Sequence, residues 1–163
     1  MAEWLTYSME KGNGKVDYAL FIGEKLVGFV EAKKYSKDVA GTMIEAKNYA
    51  VGVKEEHENY VISKWNDYKV PFLFATNGRK YVKEIEDKSG VHFLDCRNAR
   101  NNDKVLQGWY SLEKLEAMLE ENIEEANKSL DELRFEFLQS ENCIGLRGYQ
   151  VEAIKAVEKV IAE

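Results

Sequence analysis

Proline occurs once in this chain of 163 residues, and cysteine and histidine twice each. Cys96 and Cys143 are isolated, with no Cys-x-x-Cys, which excludes a disulfide framework and a thiolate zinc site and leaves two reduced packing thiols. His57 and His92 have neither His-x-His nor His-x-x-x-His spacing and read as surface residues rather than ligands. There is no Gly-x-Ser-x-Gly nucleophile turn. A Gly-x-x-x-x-Gly-Lys phosphate loop is missing too, since Gly12-Asn13-Gly14-Lys15 lacks the spacing, so these residues alone cannot hydrolyse ATP. No apolar run approaches the roughly 20 residues of a membrane span, and Met1-Ala2-Glu3-Trp4 does not open a leader peptide. The expectation is a cytoplasmic protein with no membrane partner. Low-complexity tracts and internal repeats are absent, and 45% hydrophobic with 32% charged residues is the composition of a folded domain.

The net charge of −6 argues at first against a nucleic-acid partner. Its location removes the objection. Residues 113–136 hold nine acids against Lys114, Lys128 and Arg134, which accounts for the whole excess and leaves the rest of the chain neutral. The acidic run reads as the solvated face of a helix, because Leu112, Leu115, Leu119, Ile123, Ala126, Leu130, Leu133 and Phe137 recur at spacings of three and four. Charge therefore does not exclude DNA.

Two apolar runs, 16–22 and 26–32, flank Gly23-Glu24-Lys25 and predict a β-hairpin. Ser36 and Asp38 are candidate N-caps for a helix with an apolar stripe of Val39, Met43, Ala46, Ala50 and Val53. A second helix is predicted over about 55–65. After Pro71, the run Phe72-Leu73-Phe74-Ala75 predicts a central strand covered on both faces and ended by Asn77-Gly78. Further strands are expected over 80–85 and 91–94, and Ser111 is the candidate cap of the acidic helix. The order predicts an α/β fold, a mixed central sheet flanked by helices. Residues 146–162 predict an amphipathic helix on Tyr149, Ala153, Ile154, Val157 and Ile161.

With a three-residue loop the hairpin pairs positions that sum to 48, which sets Asp17 opposite Glu31. Alternation then puts Asp17, Ala19, Phe21, Val27, Phe29, Glu31 and Lys33 on one face, and Val16, Tyr18, Leu20, Ile22, Leu26, Val30 and Ala32 on the other. Two carboxylates and an ammonium gather at the open end. Carboxylates that close repel unless a cation lies between them, and hard oxygen ligands on paired strands suit Mg²⁺, with the lysine placed to hold a water. That arrangement hydrolyses phosphodiesters. The competing reading is a cross-strand ion pair, under about 1 kcal/mol if exposed. Glu-x-Lys occurs at Glu31, Glu45 and Glu86, so the tripeptide carries little by itself, and spacing leaves both readings open.

Several motifs agree in order: Gly14-Lys15-Val16-Asp17-Tyr18-Ala19-Leu20, Val30-Glu31-Ala32-Lys33-Lys34, Tyr49-Ala50, and residues 70–78 ending in Ala75-Thr76-Asn77-Gly78. Over about 14–110 the chain resembles the N-terminal nuclease domain of the R (motor) subunit of type I restriction enzymes, within the PD-(D/E)xK superfamily, and the resemblance implies a restriction-endonuclease-like fold. It implies that Asp17 and Glu31 ligate Mg²⁺ (Mn²⁺ substituting), that the Ala32 carbonyl is a further ligand, and that Lys33 positions the attacking water. Lys34 is an expected DNA contact, and Lys33, Lys37 and Lys47, with Arg79 and Lys80 after the Asn77-Gly78 turn, are candidates to meet phosphates. The family's Gln-x-x-x-Tyr helix motif is matched at Tyr49, whereas Glu45 stands in place of the glutamine; core packing is the competing role for Tyr49. The family also opens with a helix bearing a glutamate that faces the metal, for which Glu3 and Glu10 are poor substitutes.

At the other end, Leu146-Arg147-Gly148-Tyr149-Gln150 resembles the motif that opens superfamily 2 helicase motors, where the glutamine meets adenine, so Gln150 is a nucleotide contact only together with a motor beyond this chain. The expected organisation is a nuclease core over 1–110, an acidic helical segment over 111–140 and the start of a truncated motor over 141–163. The expected function is Mg²⁺-dependent cleavage of double-stranded DNA, coupled to ATP-driven translocation in the full-length protein, with the methylation and specificity subunits of a restriction-modification complex as partners. The alternatives are a catalytically silent domain of the same fold that binds DNA or docks subunits, and a small stand-alone resolvase or repair nuclease.

Overall fold

The computed structural model of the chain describes residues 5–8, 12–39, 41–124, 139 and 145–162. Its contacts divide it into two units, Met1–Glu116 and Ala117–Glu163. In the first, β1 (Leu5–Ser8) and β2 (Gly12–Lys15) form a small antiparallel sheet, so extended chain occupies this part of the N-terminal region. β3 (Tyr18–Ile22) and β4 (Lys25–Ala32) follow as the predicted hairpin. A crossover containing α1 (Thr42–Val51) and a 3₁₀ turn, Glu55–Tyr60, leads to β5 (Phe72–Thr76), then β6 (Val91–Asp95) and β7 (Lys104–Leu106). The five-stranded sheet has the order β3-β4-β5-β6-β7, parallel only between β4 and β5. It is a mixed α/β architecture, as the element order predicts.

β5 lies at the centre because both its faces are apolar. Leu73 and Ala75 face α1 together with Phe29, Met43, Ala46 and Ala50, and the two alanines, fully buried, let the helix lie close to the sheet. Phe72 and Phe74 meet Phe93 at ring centroid distances of 5.9 and 5.0 Å, and Trp109 and Tyr110 extend this aromatic layer on the other face. Trp109 stays 54% exposed, so it covers the layer without being enclosed by it.

Several expectations give way to local geometry. The hairpin turn has two residues, Gly23 and Glu24, and the register shifts between Leu20 and Phe21, leaving Val27 as an extra residue. This bulge exchanges two side chains relative to simple alternation, with Leu26 in the core beside Phe29 and Val27 on the opposite face. Beyond it the pairing sum of 48 holds, as in Tyr18 with Val30. Neither Ser36 nor Asp38 caps α1. Gly41, at φ 81°, precedes it with no side-chain cap, and Asp38 instead lies 3.6 Å from Arg79 Nη1 and 3.5 Å from Lys88 Nζ. No strand forms over 80–85, because the buried Ser89 hydroxyl binds Val82 N and O and Ile85 O and folds that stretch into a 3₁₀ segment, Lys83–Lys88. The helix expected over 55–65 is only the 3₁₀ turn. β7, short and polar at its start, carries no alternation to announce it. His92 is buried on β6, not exposed.

Ser111 does cap α2 (Leu112–Glu120), accepting from Lys114 N at 3.3 Å. The acidic stripe over 125–138, with Glu3, Glu10 and Cys143, lies outside the described residues. In the second unit α3 (Gly148–Ala162) forms as predicted, but among its described side chains Val151 is the buried one while Tyr149 and Val157 are exposed. Periodicity selects a stripe; packing decides which edge of it is covered.

Gly90 adopts φ +74°, and a Cβ there would sit 2.7 Å from Leu106 O and 2.9 Å from Val105. Gly23, at φ +60°, has open space. Gly90→Ala is therefore expected to lose about 3 kcal/mol in urea denaturation, from left-handed strain plus collision, against about 1 kcal/mol for Gly23→Ala. Equal losses would show that the backbone at 90 relaxes freely.

Candidate functional site

The hairpin's open end and the C-terminal ends of the parallel pair β4 and β5 coincide. Ala32 N donates to Asp17 Oδ2 at 2.7 Å, and Lys33 N donates to Thr76 O at 2.8 Å, so the end of β4 is held from both sides. In an extended strand a residue's N–H and C=O project from the same edge, which places the Ala32 carbonyl on the edge that Asp17 occupies. Glu31 points to the α1 face, beside Ala75 of β5. α1 then brings Glu45 and, one turn on, Tyr49 over the same place.

Lys33 Nζ lies between two acids, 2.9 Å from Glu31 Oε1 and 2.8 Å from Glu45 Oε2. Partial burial opposes its charge, but the hydrogen bonds to Glu45 and Glu31 outweigh this and hold the ammonium well above its ordinary value. Glu31 is only 6% exposed, and its second oxygen, Oε2, is buried without a hydrogen-bond partner. Burial raises its carboxyl above the usual range; the bond from Lys33 opposes that, and the charges of Asp17 and Glu45 add to it. The Tyr49 phenol is raised by burial and then by the charges of Glu31 and Glu45, which locates it beside them as well as against the core.

Asp17, Glu31 and Glu45 against Lys33 leave an excess of two negative charges. Among the described residues there is no group of three or more His, Cys, Asp and Glu placed to hold a metal ion. Mg²⁺ does not need one, since it binds through one or two carboxylates and keeps several waters. An orphaned buried carboxylate oxygen, an exposed acid on the neighbouring segment and an edge carbonyl fit such an ion in charge and in hardness.

The other predicted residues divide. Lys34 is exposed at the site's edge. Lys47 is not at the site; it lies close enough to Cys96, whose amide donates to Pro71 O at the opposite end of β5, to act on the thiol. That thiol is pushed up to about 12 by burial and by Asp95, which makes it the inert packing residue expected. Gln150, in the second unit, bends back to accept from Arg147 N at 2.9 Å, the reciprocal half of a capping box at the start of α3. Asn77, a turn residue by its sequence context, is 3% exposed, and both ends of its side-chain amide are hydrogen-bonded. A cavity of about 720 Å³ on the sheet face away from α1 is lined mostly by apolar side chains, among them Tyr18, Val27, Val30, Phe74 and Trp109, with Lys33, Thr76 and Asn77 as its polar members; none of the site's acids lines it.

The family model described as type I restriction enzyme EcoKI endonuclease subunit second domain matches residues 1–119. The chain is 34% identical over 188 aligned positions to the type I restriction enzyme EcoKI endonuclease subunit of Escherichia coli strain K12, covering 100% of this chain and 16% of that relative. The chain thus spans about one-sixth of the relative's length. No solved structure matches.

The raised Glu31 carboxyl has a consequence for stability in metal-free buffer. A fold that favours the protonated acid is unpenalised below the usual carboxylate range and loses stability as pH rises through the raised value. Glu31→Gln removes that loss. With EDTA present, the variant is expected to unfold at higher urea than the parent at pH 8, with the gap closing as pH falls through the carboxylate range. A variant weaker than the parent at every pH would mean that the Lys33 pairing outweighs burial.

Proposed function

The chain belongs to the family of type I restriction enzyme endonuclease subunit second domains, and from that membership and the site's geometry we propose that it is a PD-(D/E)xK nuclease domain that cleaves double-stranded DNA with Mg²⁺. The observation that carries this reading is the buried Glu31 Oε2, without a protein partner, on the same strand end as Asp17, the Ala32 carbonyl and Lys33. In this reading Asp17, Glu31 and the Ala32 carbonyl hold the ion. When bound, the ion polarises the scissile phosphate and acidifies a coordinated water.

The chain's own residues do the rest. Lys33 Nζ, aligned by Glu31 and Glu45, orients the attacking water and offers positive charge to the phosphate. Glu45, where the family carries glutamine, keeps the lysine over Glu31 through an ion pair instead of an amide contact. Tyr49 closes the α1 side and limits water around Glu31. In the full-length protein this domain works with an ATP-driven motor and with the methylation and specificity subunits of the complex. Gln150 is then a nucleotide contact of that motor, released from its bond to Arg147.

Plasmid cleavage by the full-length protein with Mg²⁺ or Mn²⁺ is expected to fall at least about hundredfold in Asp17→Ala, Glu31→Ala and Lys33→Ala. Mg²⁺ is also expected to raise the urea midpoint of the parent and not that of Asp17→Asn. If all three alanine variants cut like the parent, the catalytic assignment fails, and the domain is a silent module that binds DNA or docks subunits.

A further inference from the structure

Beyond the ends of β4 and β5, residues 33–38, 77–82 and 88–90 meet in one corner. Asn77 joins them. Its Nδ2 donates to Lys37 O at 2.6 Å and Lys88 O at 3.1 Å, and its Oδ1 accepts from Arg79 N at 3.1 Å. Arg79 adds a second tie, with Nε donating to Tyr35 O at 2.7 Å, Nη1 to Lys88 O at 3.4 Å, and its carbonyl accepting from Gly90 N at 3.0 Å. Asp38 and the Tyr35 ring, 5.6 Å from the guanidinium carbon, complete its surroundings. Arg79 and Lys88 are thus spent on holding the loops.

Lys34, Lys37 and Lys80 are different. All three are exposed on this rigid corner, and none meets a carboxylate among the described residues. Tyr35 is 70% exposed, with one ring face turned to Arg79 and the rest of the ring turned to solvent. Glu84, Glu86 and Asp87 belong to the neighbouring 3₁₀ segment, where Glu86 accepts from the Tyr81 hydroxyl at 3.4 Å. In a chain whose net charge is −6, three ammoniums that meet no carboxylate among the described residues, on the loops that follow β4 and β5, are a local reversal of sign.

We infer that this corner is a phosphate cradle for the DNA strand entering the site, with Lys34, Lys37 and Lys80 as backbone contacts, Tyr35 lying against a sugar or base, and Asn77 and Arg79 as positioning residues. The inference rests on the nuclease reading above and names how its substrate is held. Lysine contacts to phosphate release counterions, so each adds about 0.9 to the slope of log affinity against log salt concentration. An exposed ring braced from behind by a cation loses little side-chain freedom when it packs against the duplex backbone.

The test is equilibrium binding of a fluorescein-labelled 30-base-pair duplex to the full-length protein in EDTA, across a salt series. Combined Lys34→Gln, Lys37→Gln and Lys80→Gln is expected to weaken binding more than tenfold at 100 mM salt and to flatten the slope by about 3. Tyr35→Ala is expected to weaken binding several-fold with the slope unchanged, and Tyr35→Phe to bind like the parent. Lys25→Gln, at the far end of β4, controls for the general field. Parent affinity and slope in the triple variant, or an equal loss with Lys25→Gln, would overturn the cradle. Binding in EDTA requires neither metal nor cleavage, so a failure of the catalytic reading, seen in plasmid cleavage, is separable from a failure of the cradle, seen in binding.

Discussion

The hydrogen bond from Ala32 N to Asp17 Oδ2 fixes the geometry of the candidate site. A carboxylate just before β3 accepts from the strand that carries Glu31, so the hairpin's open end is fastened by the side chain that faces the acid. The tie from Lys33 N to Thr76 O completes it by adding the parallel neighbour. The end of β4 therefore has no freedom to slide, and a one-residue slip would turn Glu31 to the opposite face. Mixed topology is what allows this. An antiparallel partner on one side brings Asp17, a parallel one on the other brings the loop after β5, and the crossover helix supplies Glu45 and Tyr49 from above.

Electrostatics explains why the arrangement is not there for stability. An exposed ion pair contributes about 0.2–1 kcal/mol, whereas a buried carboxylate short of partners costs several kcal/mol. Glu31 is on the unfavourable side of that comparison, and its raised pKa records the imbalance. Lys33 offsets part of the penalty and divides itself between two acids. Negative charge stays in excess where an apolar side chain would pack against α1 at no such penalty. Strain of this kind collects at functional sites.

The corner of loops beside the site uses the opposite strategy. There every buried polar group has a partner: Asn77 uses both ends of its amide, Ser89 bonds three ways, and Arg79 is bonded to backbone from two other segments. Full satisfaction makes a loop cluster rigid. The sheet end is thus an underpaired acidic centre set next to loops whose buried polar groups are paired while Lys34, Lys37 and Lys80 on their surface meet no carboxylate among the described residues, the contrast on which the proposed grip on a polyanion rests.

Much of this was legible in the residues. Local patterns are carried by neighbours in the chain: the hairpin, the buried run at Phe72 to Ala75 and the stripe through Met43, Ala46 and Ala50 follow from periods of two and 3.6 that no distant contact has to supply, whereas the two-residue turn alone would set Asp17 opposite Val30, and the bulge is what shifts it opposite Glu31. Other features needed the folded chain. The bulge at Val27 depends on how β4 lies against β3, the 3₁₀ segment over Lys83–Lys88 on a buried serine hydroxyl, and the burial of His92 on strands to either side. Lys47 is two positions from Glu45 in the sequence and still faces the far end of the sheet, because residues two apart on a helix point about 200° apart. Asn77 looked like a turn because its partners, Lys37 and Lys88, are 40 and 11 residues away. Residue types and short periods determined which elements carry the acids; only tertiary packing decided how they meet and which of them lost their water, since desolvation is a property of everything that surrounds a group and not of its neighbours in the chain.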